Sequence, residues 1–562
     1  MARLDHRACA LWLCALLNQP LAAWGQAVPP GAVPRPPAPS APAPARPPDL
    51  VSPQPSPPNG ASTQAVRVER FKVSGNTRVD AADIDAALAG FLGRTLDFRQ
   101  LGEAADAVTA LYRRRGWLLA LAYLPAQRIR DGEVEIAVLE GHLGKLQLGT
   151  VDSGLDRAFV QAAAGWRLAE GATVGESNLV RNLLVINDQP GLAVSAEVRP
   201  GSTVGSADVR VDLRRSGPDL RGNVVADNYG SRFTGRGRLG ASFTALNLAG
   251  RGDQLDLLAL ATQSGGQQSA LAGYALPVHA SGSRLGLALS GVRYRIVEPG
   301  LRELDANGSA LSAQLSLEQP LQRSLASALA LRLSLVHKVL RDRIDSQSQR
   351  EDRHIDAVQI ALRGQWRAPA LPASVTTWSL AVTQGRVGFD NADAGFFDSQ
   401  TLRTQGSYTR YNVDLAHEQP LTQRLSLQGR MQLQAASKNL DAAERVIIGG
   451  ANDLRPFGDR PSSADEAALF SLDLRYRIPT TLLPALTVGA FADYAVGHAS
   501  RRADPAIGGN LVRGATLGVG AEAALPWDTT VRVSLSRQYA EPREIGSRSW
   551  SGRGWAELIK VF

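Results

Sequence analysis

The chain has 562 residues, of which 61 are basic and 53 acidic, for a net charge of +8. Two to four domains are expected at that length, and a mean hydropathy of −0.12 excludes a polytopic helical membrane protein. The charge is modest and scattered, which argues against a nucleic-acid partner.

Residues 1–27 read as a secretory signal, with Arg3 and Arg7 before the apolar Ala8–Leu17 and Gly25-Gln26-Ala27 as a small-x-small cleavage site. Cys9 and Cys14 both lie inside it, so the mature chain is expected to contain no cysteine, hence no disulfide, thiolate nucleophile or cysteine metal site. Residues 28–65 form a linker; positions 29–60 hold 14 of the 32 prolines, which remove N–H donors, fix φ and favour an extended spacer.

The period then changes twice. Val66–Val73 alternates as a strand, and Gly75-Asn76-Thr77 turns the chain. A short helix over Asp80–Leu88 follows, then a longer one in which Asp97 and Gln100 have capping-box spacing. Leu101, Ala104, Ala105, Val108, Leu111 and Tyr112 share one face of that helix at helical spacing, and Gly116 is placed to end it. Strands over Trp117–Leu124 and Glu133–Leu139 complete a β-α-α-β-β unit, 66–141. The same order repeats over 142–217: a strand at Lys145–Leu148, helices near Asp156–Ala164 and Glu176–Ile186, and strands at Leu192–Val198 and Ala207–Leu213.

From 218 to 562 short strands alternate with period two. Leu425, Leu427, Met431 and Leu433 share one face, and Ser426, Gln428, Arg430, Gln432 and Gln434 share the other. Phe470–Ile478 repeats the pattern with Ser471, Asp473, Arg475 and Arg477 between the apolar residues. A greasy face backed by a wet one suits a sheet closed around water in an outer membrane. At roughly 20 residues per strand and loop this region holds about 16 strands. Within Val488–Val496 the even positions are apolar, which turns Phe491 and Asp493 towards the lumen.

Several motifs in order resemble the TpsB transporters, the outer-membrane partners in two-partner secretion (haemolysin secretion/activation) within the Omp85 superfamily. Gly75-Asn76-Thr77, Tyr112–Gly116, Leu124–Gln127, Asp131-Gly132 and Glu140-Gly141 are similar to a first POTRA domain. Leu183–Gly191 with Pro200–Asp208 resembles a second, and Asp227–Arg236 the first barrel strand and its turn. Gly449–Phe457 resembles the loop-six signature, usually Val-Arg-Gly-Phe or Tyr, with Leu454 and Pro456 departing from it. Phe491–Gly497 resembles the Phe-x-Asp-x-Gly strand motif, with Ala495 in place of glycine.

The resemblance implies two periplasmic POTRA domains and a transmembrane antiparallel β-barrel in the outer membrane, binding and exporting an unfolded TpsA-type exoprotein. Tyr112, Gln127, Asp131 and Glu140 would mark the client-binding region. Leu454, Arg455 and Phe457 would form a loop-six latch whose arginine meets Asp493, beside Phe491, in the lumen, and Phe562 would be the terminal aromatic of the barrel. Lys560 shares the Phe562 face, where an apolar residue is commoner, and is expected to snorkel to the interface. The rival within the superfamily, an assembly insertase, tends to carry three or more POTRA domains. No enzyme, cofactor or metal site is expected: the seven histidines are scattered, and no nucleophile elbow or phosphate loop is legible.

Overall fold

The computed structural model describes residues 50–51, 65–115, 117, 120–140, 142–152, 154–168, 176–200, 202, 206–368, 374–450, 454–455, 462–503, 510–540 and 552–562. The signal segment, most of the linker, Gly116, Gly141, Pro456 and Phe457 lie outside these residues.

In the first α/β unit Arg70–Ser74 pairs in parallel with Glu133–Leu139, which pairs antiparallel with Leu121–Tyr123. The expected first strand is divided, because Val66–Arg67 instead pairs with Thr95–Leu96. Helices Ala81–Leu88 and Phe98–Arg114 cover one face of this sheet. The capping box is formed: Asp97 Oδ1 accepts the Gln100 amide at 2.7 Å, and Gln100 Oε1 accepts the Asp97 amide at 3.0 Å. Asp131 and Gly132 both take left-handed backbone in the two-residue turn that starts the central strand.

The second unit has its sheet in the order Leu192–Pro200, Ser206–Arg215, His142–Asp152, with Arg157–Ala164 and Glu176–Asn187 packed on it. Leu50–Val51 of the linker adds a further strand, parallel to Ala196-Glu197 at the sheet edge. This unit is fastened to the barrel. Arg323 grips Asp188 through two hydrogen bonds of 2.6 and 2.8 Å, and Arg181 donates to the Ser281 and Pro320 carbonyls while lying 4.1 Å from the Trp166 ring. At Gly282 an added Cβ would meet Val185 at 2.4 Å, so the close approach of helix and barrel turn needs glycine there.

Sixteen antiparallel strands close the barrel, the first, Leu220–Asp227, pairing with the last, Gly552–Val561. Lengths run from 8 residues in that first strand to 18 in Ala306–Arg323, Ser327–Ile344 and Gln349–Trp366. An 18-residue strand rises about 60 Å at 3.3 Å per residue, so the long strands reach well beyond the apolar band. Leu331, Leu333 and Leu335, like Phe470, Leu472 and Leu474, stand exposed on the outer face, where lipid replaces water as the solvent. The second α/β unit touches the turns at 247–253 and 279–283, which places that rim on its side of the membrane and the 437–465 loop on the other. Lys560 turns its ammonium onto the Trp527 carbonyl in the rim turn, as a snorkelling lysine does.

Candidate functional site

Two neighbouring strands, Glu466–Ile478 and Ala485–His498, build the floor of the site. Their register pairs Ser471 with Asp493, Asp473 with Phe491 and Leu469 with Ala495, all on the lumen face. Asp493 is buried and accepts from the Ser471 hydroxyl and, at 3.0 Å, from the Thr516 hydroxyl. Phe491 lies flat over Gly518, where an added Cβ would come within 2.1 Å of its ring. That glycine is what lets the ring lie against the wall.

The sixth loop folds inward over this floor. It turns at Ala442–Glu444, forms a small hairpin of Val446–Ile448 with Ser462–Ala464, and carries Leu454-Arg455 inward from it. Arg455 is 7% exposed. Its Nη2 donates to Asp473 Oδ1 at 3.0 Å, its Nε lies 3.6 Å from Asp493 Oδ2, and its guanidinium carbon is 3.4 Å from the Phe491 ring centre. The arrangement combines a charge-assisted hydrogen bond, a second ion pair and a cation–π contact on one side chain.

The expected partner Asp493 is therefore present, but Asp473 makes the direct hydrogen bond. Alternation had placed Asp473 on the wet face; only the register shows that it sits beside Phe491. A further contact that the sequence did not suggest comes from the last strand: the Trp555 indole N–H donates to the Arg455 carbonyl at 2.9 Å. Trp555 is itself buried, edge-on to Tyr229, with the Arg553 guanidinium 3.9 Å from its ring centre.

Leu454 takes a left-handed φ of 44°, an unfavourable setting for a branched residue. Its side chain is buried with Ile448, Ala464, Leu469, Ala495 and Val512, and burying a leucine contributes about 1.5–3 kcal/mol, enough to offset a backbone cost of about 1–3 kcal/mol. Ala495 sits in that same cluster, so two of the three departures from the family pattern, Leu454 and Ala495, pack together.

In the first α/β unit the four residues marked for client binding serve the frame of the domain. Tyr112 is fully buried, and its hydroxyl donates to Glu140 Oε1 at 3.0 Å. The same carboxylate accepts the Thr77 and Arg78 amides at 2.5 and 2.7 Å and the Thr77 hydroxyl at 2.5 Å, tying the 75–77 turn to the end of the central strand. Partial burial pushes the Glu140 carboxyl up, but these hydrogen bonds outweigh it and hold the group below its ordinary value. Burial, the bond to Glu140 and its negative charge push the Tyr112 hydroxyl well above its own. Gln127 copies a strand partner, its amide donating to the Glu135 carbonyl at 2.8 Å while accepting the Glu135 amide at 2.7 Å. Asp131 shapes the turn.

The family model described as "Haemolysin secretion/activation protein ShlB/FhaC/HecB" matches residues 205–521, more than half the chain, and the ShlB-type POTRA domain matches 66–141. The heme/hemopexin transporter protein HuxB of Haemophilus influenzae is 24% identical over 489 residues, 87% of this chain and 85% of that protein. The outer membrane transporter CdiB of Dickeya dadantii is 23% identical over 418 residues, 73% of this chain and 72% of its own. Among solved structures, CdiB from Escherichia coli superposes with a TM-score of 0.67 at 19% identity, covering 92% of this chain and 94% of its own. BamA from Haemophilus ducreyi lacking POTRA domains 1–3 follows at 0.55 and 12%, covering 89% and 100%. At such identities the superpositions speak for the fold, while the sequence match carries the family. The chain belongs to the ShlB/FhaC/HecB haemolysin secretion/activation family: it is an outer-membrane two-partner secretion transporter with periplasmic POTRA domains.

Proposed function

We propose that this transporter exports one large secreted exoprotein, of the adhesin or haemolysin type, and that loop six latched by Arg455 governs its passage. The observation that carries the reading is the placement of Arg455, buried in the lumen against Asp473, Asp493 and Phe491 on one wall and fixed through its carbonyl to Trp555 on the last strand. A loop so held obstructs the polar lumen, and a chain in transit has to displace it. The exposed edge strand Leu121–Tyr123 of the first POTRA domain offers main-chain hydrogen bonds to an extended client, with Leu121 and Tyr123 as partly exposed side-chain contacts. Tyr112, Gln127, Asp131 and Glu140 keep that edge in shape. On the second domain, Leu50–Val51 already occupies the corresponding edge, so a client pairing there displaces this chain's own linker.

Deleting the gene and comparing the proteins released into the medium tests the reading. Loss of a single large polypeptide is the expected result. A general loss of outer-membrane barrels instead makes the protein an assembly insertase.

A further inference from the structure

Loop six is pinned at a second place. Its base, 440–445, lies against the strands Ser327–Ile344, Gln349–Trp366 and Gly406–Pro420. There Asp441 caps the Ala442–Glu444 turn, its Oδ1 accepting the Ala443 amide at 2.8 Å, while its Oδ2 accepts from Arg353 Nε at 2.5 Å. Arg353 is fully enclosed and also meets Asp342 at 2.7 Å and Glu351 at 2.9 Å. Three residues on, Glu444 receives Lys338 at 2.6 Å on one oxygen and Arg410 at 2.7 Å on the other. Lys338 and Arg410 also donate to the Ala443 and Glu444 carbonyls at 3.1 and 3.0 Å. Leu440, fully buried, fills the apolar cluster beneath this clasp, and Arg445 joins the outgoing leg of the loop to Asp465 on the returning one at 2.9 Å.

The two anchorages differ in kind. The base commits two carboxylates to three cations on strands Ser327–Ile344, Gln349–Trp366 and Gly406–Pro420, and adds a buried leucine. The tip has its own buried leucine, Leu454, and the Trp555 bond to the Arg455 carbonyl, but both of its ion pairs share one guanidinium. Breaking one partner out of a buried ion pair is strongly destabilising, so an anchorage whose pairs draw on three separate cations outlasts one whose pairs share a single cation. The base has a closed hydrogen-bonded frame across both legs of the loop, while Arg455 reaches its partners from beyond the hairpin.

We propose that Lys338, Arg353 and Arg410 are positioning residues for the latch: they hold the base of loop six fixed against their three strands, so that release during export is confined to the Arg455 end. The inference rests on the reading of loop six as the gating element. Coupling between the two ends is reciprocal, but the base is the more firmly held, so it stays closed when the tip is freed, whereas the tip opens when the base is freed.

Hydrogen exchange on the full-length protein in lipid nanodiscs reads both ends of the loop without any client. In the Lys338→Gln/Glu444→Gln protein, exchange is expected to rise at least about tenfold, or 1.4 kcal/mol, both in 440–448 and at Leu454-Arg455, with the barrel strands unchanged. In Arg455→Ala exchange is expected to become fast at the tip, while the base rises by no more than the coupling factor and stays protected. A purely structural clasp leaves the tip unaffected when the base is freed, and a loop that moves as one body exposes the base in Arg455→Ala; either result overturns the proposal. Arg353→Lys, which keeps the charge, is a second base variant if the first does not assemble, and it carries the same expectation at reduced size. Export is not an input to this measurement, so an export-competent Arg455→Ala protein counts against the latch while the exchange pattern still decides the clasp.

Discussion

Glu140 in the first POTRA domain and the Asp473–Asp493 pair in the lumen are both carboxylate clusters at which separate segments of chain meet, yet they do different things. Every bond to Glu140 comes from its own domain, from Thr77, Arg78 and Tyr112, and all four are with backbone amides or hydroxyl groups. Nothing in that arrangement can leave without unfolding the turn. Asp493 is held in place by two barrel hydroxyls, Asp473 lies 3.7 Å from Arg430 on the wall, and both take Arg455 from a loop. The first arrangement is a clasp that defines a domain; under the proposed reading the second is a latch that one segment can enter and leave, and removing Arg455 is expected to leave the barrel wall intact.

That distinction can be broken at either end. The Asp473→Asn/Asp493→Asn double variant strands a buried guanidinium without a charged partner, at a cost of about 3–5 kcal/mol, and export of the client is expected to collapse while heat-modifiable barrel remains in the membrane. Asp473→Asn alone removes the direct charged hydrogen bond, worth about 1.5–3 kcal/mol, and is expected to reduce export at least as much as Asp493→Asn. A clearly larger effect of Asp493→Asn contradicts the geometry. Trp555→Phe removes one neutral hydrogen bond to the loop backbone, worth about 0.5–1.5 kcal/mol, and is expected to loosen the loop with only a partial loss of export.

At the other end, Glu140→Gln should lower the stability of the first domain without touching conduction through the barrel. The pH dependence has a definite sign. A carboxyl whose folded value is depressed contributes stability above its unfolded value and loses it as pH falls through the folded one. The stability of the first domain, read by denaturant unfolding with tryptophan fluorescence of Trp117, is therefore expected to fall as pH drops through and below the ordinary glutamate range in the native protein, and to fall less over that interval in Glu140→Gln. An equal acid sensitivity in both would remove Glu140 from the account.

The wet and greasy faces of the barrel were legible because side chains alternate with period two, and the capping box at Asp97 and Gln100 because helix ends have local signatures. Tyr112 shows where two sequence signals compete: its spacing on the apolar helix face implied burial, while its family motif implied client contact, and the structure buries it. Asp473 was assigned to the lumen side but not to Arg455, because strand register depends on turn geometry that composition does not reveal. Trp555 and the Lys338, Arg353 and Arg410 group were not legible at all. Their partners lie from 34 residues away along the chain, between Arg410 and Glu444, to 106, between Lys338 and Glu444, and only the folded barrel brings them together.

The central claim is that Arg455 is a working latch and not a structural brace. Its most direct test is secretion of the client by cells carrying Arg455→Ala, with assembly verified by heat-modifiable mobility and surface labelling. Export reduced at least about tenfold, equivalent to 1.4 kcal/mol, from normally inserted protein is the expected result. Undiminished export from that same protein would contradict it.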